Sequence, residues 1–322
     1  MLTRVLTFAL ATCLSTTGFA QSYPGKLIKI IVGYSPGGGV DLVARLVAQS
    51  LGEQMGHGVV VENRPGAGGT IGAGAVAKAE PDGYTLLACS NSEITVAPHL
   101  FHNLPYNPRR DLLPVVIAAS APSVLVVHPA LLVNNATELL ALAKAKGGIE
   151  YATPGVGTQQ HIAMELVRVQ TGIPLTHVSY KGGSQATNDL VAGQLRVGLI
   201  AMPPLMAHLR AGKLKPLAVF QFEGTSLLPD VPTFRQATGI DVINAAGWFG
   251  FMAPAQTPPE IVSRLESAML KALEDPNLRS RLTSAGLDML ATPSRGFAAR
   301  IQEESAAFES AIKRIGLKSE SG

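Results

Sequence analysis

Short apolar runs rich in β-branched residues alternate along the chain with stretches in which apolar residues recur at helical spacing. A strand is predicted at residues 27–32, and the glycine- and proline-rich loop after it leads into an amphipathic helix. Further strands are predicted at residues 59–61 and 84–89, with an alanine-rich helical stretch between them. This order of strands and helices predicts a parallel sheet with helices packed against it.

The same alternation begins again after a proline-rich segment at residues 105–122, which predicts a second α/β unit. Its strands are predicted at residues 123–128, 149–153, 175–180, 195–201 and 216–220, and its helices at residues 159–170 and 185–192. The last part of the chain is predicted to contain a strand at residues 247–254 and helices at residues 259–273, 277–285 and 295–315.

The N-terminal segment, residues 1–20, has the pattern of a secretory signal peptide. Arg4 is its only charged residue, residues 5–14 are apolar, and small residues stand at the −3 and −1 positions of a predicted cleavage site after Ala20. Lipid attachment at Cys13 is the alternative for this segment. After cleavage Cys89 would be the only cysteine, so no intramolecular disulfide is expected.

Composition and charge narrow the classes of function. The 322 residues carry a formal net charge of +3 from 26 basic and 23 acidic residues, which form no basic run. Nothing in this distribution indicates binding to nucleic acid or to an anionic membrane surface. The longest apolar stretch, residues 112–127, is interrupted by Pro114 and Pro122 and is shorter than the ~20 residues that a membrane-spanning helix needs.

Three glycine-containing loops lie where helices are predicted to begin, at residues 34–41, 64–72 and 153–161. A helix N-terminus presents unpaired N–H groups and partial positive charge, and glycine lets an anion approach that backbone closely. No loop continues as a phosphate-binding G-x-x-x-x-G-K-[ST] motif, and each lacks the third glycine of the dinucleotide-binding pattern. The loops therefore predict an anion site that needs no cofactor.

Ser35 lies in a G-x-S-x-G pattern between a predicted strand and a predicted helix, as the nucleophile of a serine hydrolase would. Pro36 argues against catalysis, because the residue after such a nucleophile supplies a backbone N–H to the oxyanion hole and proline has none. A secreted serine esterase that uses Ser35 is therefore kept only as the alternative, and no catalytic residue is expected.

His161 and Glu165 are spaced to share one face of a predicted helix, as two metal ligands could. The chain has no H-E-x-x-H motif, no cysteine cluster and no third ligand at a suggestive spacing. An intrahelical pair, or a histidine that faces a ligand from the first helical turn, is the preferred interpretation, and no metal site is expected.

Several segments together resemble the Bug family, the extracytoplasmic solute receptors of tripartite tricarboxylate transport systems. The resemblance rests on "YPGKLIKIIVGYSPGGGVDLVARL", "VVVENRPGAGGTIGAGAVAKAEPDGYTLL", "LPYNPRRDLLPV", "YATPGVGTQQHIAMELV", "HVSYKGG", "LPDVPTF" and "WFGFMAPAQTPPEIV". These segments occur in order and span nearly all of the chain after the predicted signal peptide. The family often has Phe-Pro-Pro-Gly-Gly where this chain has Tyr34-Ser35-Pro36-Gly37-Gly38, which affects the expected side-chain preference of the pocket.

The resemblance implies an α/β, two-domain periplasmic-binding-protein-like fold of type II, with the ligand cleft between the domains. Domain 1 is expected at residues 21–122, domain 2 at residues 123–246, and a returning part of domain 1 at residues 247–322. It further implies a periplasmic receptor, with no enzymatic activity, that captures a small organic acid or an amino acid through its carboxylate. The expected partner is a two-component membrane permease, and the receptor is expected to be a monomer.

Family pocket positions carried over onto this sequence give the expected ligand-binding residues. They are Tyr34, Gly37, Gly38, Gly39, Asp41, Ser90, Asn91, Thr158, Gln159, His161 and Met202. Asp41 would repel a carboxylate if it faced the pocket, so it is expected to point away from one or to meet a cationic group such as an amine. A sensor that passes its bound state to a signalling partner is the second alternative, because transport and sensing use the same closure.

Overall fold

The computed structural model describes residues 23–317. In it the chain folds into two β-sheets, each covered by helices. The predicted signal peptide and its cleavage site after Ala20 lie outside the described residues. The two sheets confirm the predicted pair of α/β units. Among residues 23–317, no helix combines the length and apolar character that a membrane crossing requires.

Lobe 1, residues 23–121 and 247–317, is built around a six-stranded sheet. Its strands are β1 (Ile28–Val32), β2 (Val59–Asn63), β3 (Thr85–Ser90), β4 (Leu112–Ala121), β10 (Gly247–Pro254) and β11 (Asp288–Pro293), in the spatial order β11-β4-β10-β3-β1-β2. β1 is parallel to β2 and β3, whereas β10 is antiparallel to β3 and β4. Its helices are α1 (Gly39–Met55), α2 (Thr70–Ala77), α3 (Ala97–Leu100), α4 (Pro108–Asp111), α10 (Pro259–Leu273), α11 (Pro276–Ser284) and α12 (Ser294–Ile315).

Lobe 2, residues 123–245, is built around a five-stranded sheet in the order β7-β6-β8-β5-β9. The strands are β5 (Ser123–Val127), β6 (Ile149–Thr153), β7 (Leu175–Ser179), β8 (Val197–Ala201) and β9 (Lys215–Val219). The helices are α5 (Ala136–Ala145), α6 (Gln159–Thr171), α7 (Gly183–Val191), α8 (Met202–Arg210) and α9 (Phe234–Thr238). β6 is parallel to β7 and β8, as the alternation of strand and helix predicts.

The chain passes between the lobes at Pro122 and again at Ala246. The predicted domain boundaries coincide with these two points, but whether the lobes behave as separate domains stays a prediction. On the side of α12, an apolar cluster joins the lobes, because Phe308 and Ile312 of α12 pack with Ile162 and Leu166 of α6.

β4 lies in residues 105–122, where the sequence pattern predicts a proline-rich connection and no strand. Proline lacks the N–H that a sheet interior uses, so Pro114 argues against a central strand. In the structure, Pro114 pairs with Met252 of β10 where the register shifts between Phe251 and Met252. A β-bulge is one of the few places where a sheet accepts proline.

The backbones of two loops meet in lobe 1 where Gly33, directly after β1, packs against Gly69 and Gly72 at the start of α2. A Cβ placed on Gly33 would lie 2.5 Å from the carbonyl oxygen of Gly69. This contact sets the direction in which the chain leaves β1, and therefore the position of the loop that precedes α1.

Gly33→Ala is expected to destabilise the protein by about 3 kcal/mol or more, because the methyl group meets backbone that no rotamer change can move aside. Urea unfolding followed by circular dichroism measures the loss. The matched control is Gly58→Ala, whose Cβ would lie in ordinary contact 3.6 Å from a methyl group of Leu27. Equal stability of the two variants would contradict the argument.

Candidate functional site

A cleft of about 430 Å³, including space open to solvent at its mouth, lies between the two lobes. Lobe 1 lines it with Tyr34, Gly38, Gly39, Val40, Ser90, Ser92 and Phe249. Lobe 2 lines it with Pro154, Thr158, Gln159, Gln160, Gly183, Ala201 and Pro204. These residues follow the carboxyl ends of the strands β1, β3, β6, β7 and β8, apart from Phe249 on β10, and this edge of an α/β sheet is where ligands ordinarily bind.

Four helices begin at the cleft: α1 from lobe 1, and α6, α7 and α8 from lobe 2. The N-caps of α1 and α7 are Gly38 and Gly182, neither of which can satisfy the first N–H groups with a side chain. α8 offers fewer donors, because Pro203 and Pro204 occupy its first turn. At α6, the side chain of Thr158 already accepts the N–H of His161. The uncapped N–H groups of α1 and α7 and the helix dipoles of both lobes therefore point toward one small space.

None of the residues that line the cleft has a charged side chain. Polar lining groups are hydroxyls and amides, including Tyr34, Ser92 and Gln159, while Val40 and Phe249 provide apolar surface. A ligand's negative charge would be met by oriented dipoles and hydrogen-bond donors rather than by a lysine or arginine. Such a site suits a small anion whose remaining atoms are partly apolar.

Tyr34 forms part of the cleft floor and is tied to the layer below it. Its hydroxyl lies 2.8 Å from the carbonyl oxygen of Gly68, 2.8 Å from Glu93 Oε2 and 3.1 Å from Ser90 Oγ. Glu93 is fully buried, and burial raises its pKa to about 7 although hydrogen bonds from Ser90 and Tyr34 act in the opposite direction. The cleft therefore has a titratable carboxyl group directly beneath two of its lining residues.

Ser35 is occupied by a contact between the lobes. Its backbone N–H and its hydroxyl both donate to the carbonyl oxygen of Lys181, at 3.0 and 2.9 Å. Ser184 Oγ donates to the carbonyl oxygen of Pro36 at 2.7 Å, and Ser92 Oγ donates to Gln159 Oε1 at 2.6 Å. The serine of the G-x-S-x-G pattern thus joins the two lobes beside the cleft.

Asp41 is buried in the first turn of α1 and does not line the cleft. Oδ2 accepts hydrogen bonds from the N–H of Gly37 at 2.8 Å and from Arg45 at 3.0 Å, while Oδ1 accepts one from Asn63 at 2.8 Å. Burial acts to raise the pKa of Asp41, but the bonds from Arg45, Gly37 and Asn63 outweigh it and hold the pKa below its usual value. The carboxylate holds the glycine loop against α1.

Six of the expected ligand-binding residues line the cleft: Tyr34, Gly38, Gly39, Ser90, Thr158 and Gln159. The other five do not line the cleft: Gly37 is exposed, and Asp41, Asn91, His161 and Met202 are buried. Asn91 is buried, and its Oδ1 has no hydrogen-bond partner among the described residues. Met202 is fully buried at the start of α8, where a Cβ on Gly286 of lobe 1 would lie 2.5 Å from its Cγ.

His161 stacks on His177 with 3.9 Å between ring centroids, and its Nδ1 accepts the N–H of Gly157 at 3.2 Å. Glu165 bonds to Tyr151 and Arg168 instead. Among residues 23–317, no group of three or more His, Cys, Asp or Glu side chains is placed to hold a metal ion. Burial lowers the pKa of His161 to about 4, and burial together with the charge of His161 lowers that of His177 to about 3.

Sequence reasoning missed several lining residues. Gly183 could have been predicted, because the glycines of "SYKGGS" lie between a predicted strand and a predicted helix, as the other glycine loops do. Phe249 and Pro204 carry no comparable local pattern, since their place at the cleft depends on how the two sheets are arranged. Glu93 lies in a π-helix, Ser92–Val96, which the sequence does not indicate.

The fold and the cleft define a two-lobed solute-binding receptor. The chain belongs to the tripartite tricarboxylate transporter receptor family, whose family model matches residues 43–317. It is 35% identical over 304 residues to the protein BugT of Bordetella pertussis, and this alignment covers 93% of this chain and 92% of BugT. The predicted Bug-family membership is confirmed.

Two solved structures of receptors from Rhodopseudomonas palustris are similar to this one. Rpa4515 with adipate has a TM-score of 0.88 at 29% identity, covering 92% of this chain and 100% of that one. MatC with bound malate has a TM-score of 0.84 at 29% identity, covering 90% and 100%. The family consists of periplasmic receptors, and these relatives are not enzymes, so the prediction of no enzymatic activity is confirmed.

Asp41→Asn is expected to lower the free energy of unfolding by about 1–3 kcal/mol, because one carboxylate oxygen becomes an NH₂ group that faces hydrogen-bond donors. The stability gained from Asp41 is fully present above the ordinary pKa of an aspartate and is lost as the pH falls through the lowered pKa of the folded state. Urea unfolding at neutral pH and at about pH 3 measures both effects. A variant as stable as the wild type at neutral pH would contradict this role.

The stacked histidines predict a loss of stability in mild acid. Above about pH 6.5 both histidines are neutral in the folded and unfolded states. Below it the unfolded chain binds protons that the folded chain resists, and the loss is complete near pH 4 for His161 and near pH 3 for His177. The cost for His161 alone is about 3 kcal/mol. His161→Asn keeps an acceptor for Gly157 and should flatten this part of the stability profile, measured by urea unfolding from about pH 7 to 4. The exposed His102→Gln is the control, and equal profiles for both variants would contradict the prediction.

Proposed function

We propose that the chain is a periplasmic receptor that binds a small carboxylic acid between its lobes and delivers it to a tripartite tricarboxylate-type permease. The observation that carries the proposal is the convergence of helix N-termini from both lobes on a cleft without charged side chains. Desolvating a carboxylate is costly, and several oriented N–H groups can offset that cost without a counter-ion.

The size of the cleft and its apolar surface support a ligand of few atoms. The space of about 430 Å³ includes solvent at the mouth of the cleft, so the enclosed part is smaller and fits only a small molecule. Phe249 and Val40 offer apolar contact to the carbon chain, while Tyr34, Thr158 and Gln159 offer hydrogen bonds. The relatives Rpa4515 and MatC, solved with adipate and malate, support a small dicarboxylate.

Capture is proposed to occur by closure of the lobes around the ligand. The bonds from Ser35 to Lys181, from Ser184 to Pro36 and from Ser92 to Gln159 all join the lobes beside the cleft. A ligand that contacts both lobes favours the closed arrangement by its difference in affinity for the two states. The six lining residues predicted from the sequence are proposed to be ligand contacts, and the lobes to be two domains that meet at residues 122 and 246.

The proposal extends to the partner and the site of action. Family membership supports a periplasmic location and a two-component permease as the partner. Export through a signal peptide cleaved after Ala20, action as a monomer and delivery to the permease are parts of the proposal. Uptake of the bound acid into vesicles that contain the two membrane components, with and without the receptor, tests delivery.

Binding is tested by thermal unfolding of protein that has first been unfolded and refolded to remove any acid carried through purification. L-malate and adipate are the probes, with the uncharged dimethyl adipate as control. A true ligand at about 1,000 times its dissociation constant adds about 4 kcal/mol to the free energy of unfolding, which raises the melting temperature by several degrees. An unchanged melting temperature with both acids, or an equal rise with the ester, would contradict carboxylate binding.

Gly38→Ala tests the place of binding. Its Cβ would lie 3.7 Å from the carbonyl oxygen of Ser35 and 3.9 Å from the N–H nitrogen of Gly183, between the starts of α1 and α7, and its φ of −77° permits alanine. The variant should fold normally and bind the acid at least about tenfold more weakly, a change of about 1.4 kcal/mol. Gly58→Ala is the control, and equal affinity of the two variants, by titration calorimetry, would contradict the placement.

A further inference from the structure

Glu93 lies beneath the cleft floor with no exposed surface. Its Oε1 accepts the backbone N–H of Ser90 at 2.9 Å. Its Oε2 lies 2.8 Å from the hydroxyl of Tyr34 and 2.8 Å from that of Ser90. Both hydroxyls belong to residues that line the cleft, so only one hydroxyl group separates Glu93 from the space that a ligand would fill.

The hydrogen atoms in this cluster can be counted. Four oxygen–oxygen contacts need a hydrogen: Tyr34 to Gly68, Tyr34 to Glu93, Tyr34 to Ser90, and Ser90 to Glu93. A tyrosine and a serine hydroxyl supply only two hydrogens, and the carbonyl oxygen of Gly68 can only accept. A proton on Glu93 supplies a third bond, because Tyr34 can then donate to Gly68 while it accepts from Glu93.

The surroundings of Glu93 favour the neutral acid as well. No lysine or arginine among the described residues pairs with it or hydrogen-bonds to it. Burial raises its pKa to about 7 against the opposing hydrogen bonds. The other titratable groups near its carboxyl group are Tyr34, Cys89 and Tyr106, none of which carries a positive charge.

Several titratable groups of the neighbouring elements bond to residues other than Glu93. On α12, Glu304 bonds to Arg300 and to the indole N–H of Trp248. On α3, His99 bonds to Ser305, and on α6, His161 accepts the N–H of Gly157. Among the described residues, no salt bridge or hydrogen bond joins a cation of these elements to Glu93.

We infer that Glu93 is a proton-carrying positioning residue of the cleft, and that capture of a carboxylate is linked to uptake of one proton by Glu93. The inference rests on the proposed function. An ionised Glu93 would place a negative charge one hydroxyl group away from the ligand's own charge, at low dielectric, and the protonated form removes that repulsion. The proton also fixes the Tyr34 hydroxyl as a donor to Gly68 and an acceptor from Glu93.

Closure strengthens the linkage. All the residues of the cluster lie in lobe 1, but the loop before α6 lies against its Gly68 edge, since a Cβ on Gly68 would lie 2.5 Å from the carbonyl oxygen of Val156. Opening the lobes would admit water to this edge of the cluster and ease ionisation of Glu93. A bound anion and a closed cleft both favour the protonated acid, so by linkage the affinity for an anion falls as the pH rises above the pKa of the open form.

Titration calorimetry with L-malate and adipate, between about pH 6 and 8.5, tests the linkage in two buffers of different ionisation enthalpy. The wild type should take up as much as one proton per ligand, and its dissociation constant should rise by as much as about tenfold per pH unit over part of that range. Glu93→Gln retains a donor and an acceptor and mimics the neutral acid. It should keep the low-pH affinity across the range and take up no proton.

Glu304→Gln is the matched control, because Glu304 is a second carboxyl group of lobe 1 whose pKa burial raises and which does not line the cleft. It should keep the pH dependence of the wild type. A wild-type affinity that is flat with pH, a Glu93→Gln variant that keeps the slope, or a folded Glu93→Gln variant that binds neither acid at low pH would overturn the inference. Affinity for an amino acid that rises with pH would overturn it too, since an ionised Glu93 would then be meeting the amine.

Infrared spectroscopy of protein labelled with ¹³C-glutamate separates failure of this inference from failure of the proposed function. At about pH 6, below the raised pKa of Glu93, a carbonyl band of a protonated carboxyl group should be present in the wild type and in Glu304→Gln but absent in Glu93→Gln. If neither acid binds, the proposed ligand class fails while this band still shows a protonated Glu93. If the band is missing from the wild type, the inference fails whatever the acids do.

Discussion

The cleft depends on the contact between two glycine loops, in which the backbone after β1 lies directly against the backbone before α2. Gly33 has no room for a side chain beside Gly69, and Gly72 has none beside Gly33. Because the loops touch through backbone, Tyr34 reaches the carbonyl oxygen of Gly68, and the chain can turn into α1 with its N-terminus directed at the cleft. Backbone packing thus determines where the polar groups of lobe 1 lie.

No carboxyl group of the described residues lines the cleft. The two nearby ones, of Asp41 and Glu93, are buried and form hydrogen bonds away from it. Asp41 is held by Arg45, Asn63 and the N–H of Gly37, so it stabilises the glycine loop from behind. Glu93 has only hydroxyls and a backbone N–H, which leaves its protonation state open to influence from the cleft. The two carboxyl groups differ because one has a cation beside it and the other does not.

The sequence predicted the parts of the fold and site that depend on local pattern. Alternating strands and helices predicted two α/β units, and glycines before helices predicted the loops 34–41 and 153–161 as anion sites, within which the family resemblance placed Gly38, Gly39 and Thr158 at the cleft. Tertiary context decided the rest. Pro114 lies within a long strand because the register shifts beside it, and Phe249 reaches the cleft only because β10 returns to the first sheet. His161 turns toward His177, a partner that no local spacing reveals.

The two sides of the lobe interface are built differently, and this difference suits the proposed closure of the lobes around a ligand. On the side of α12, the lobes share apolar surface between α6 and α12, a contact that is non-directional and tolerates small rotations. At the cleft, they are joined by a few hydrogen bonds such as that from Ser35 to Lys181, each worth only about 1 kcal/mol against competition from water. In the proposed closure, the apolar side would persist as a hinge, while the polar side would close when a ligand adds its own contacts to both lobes.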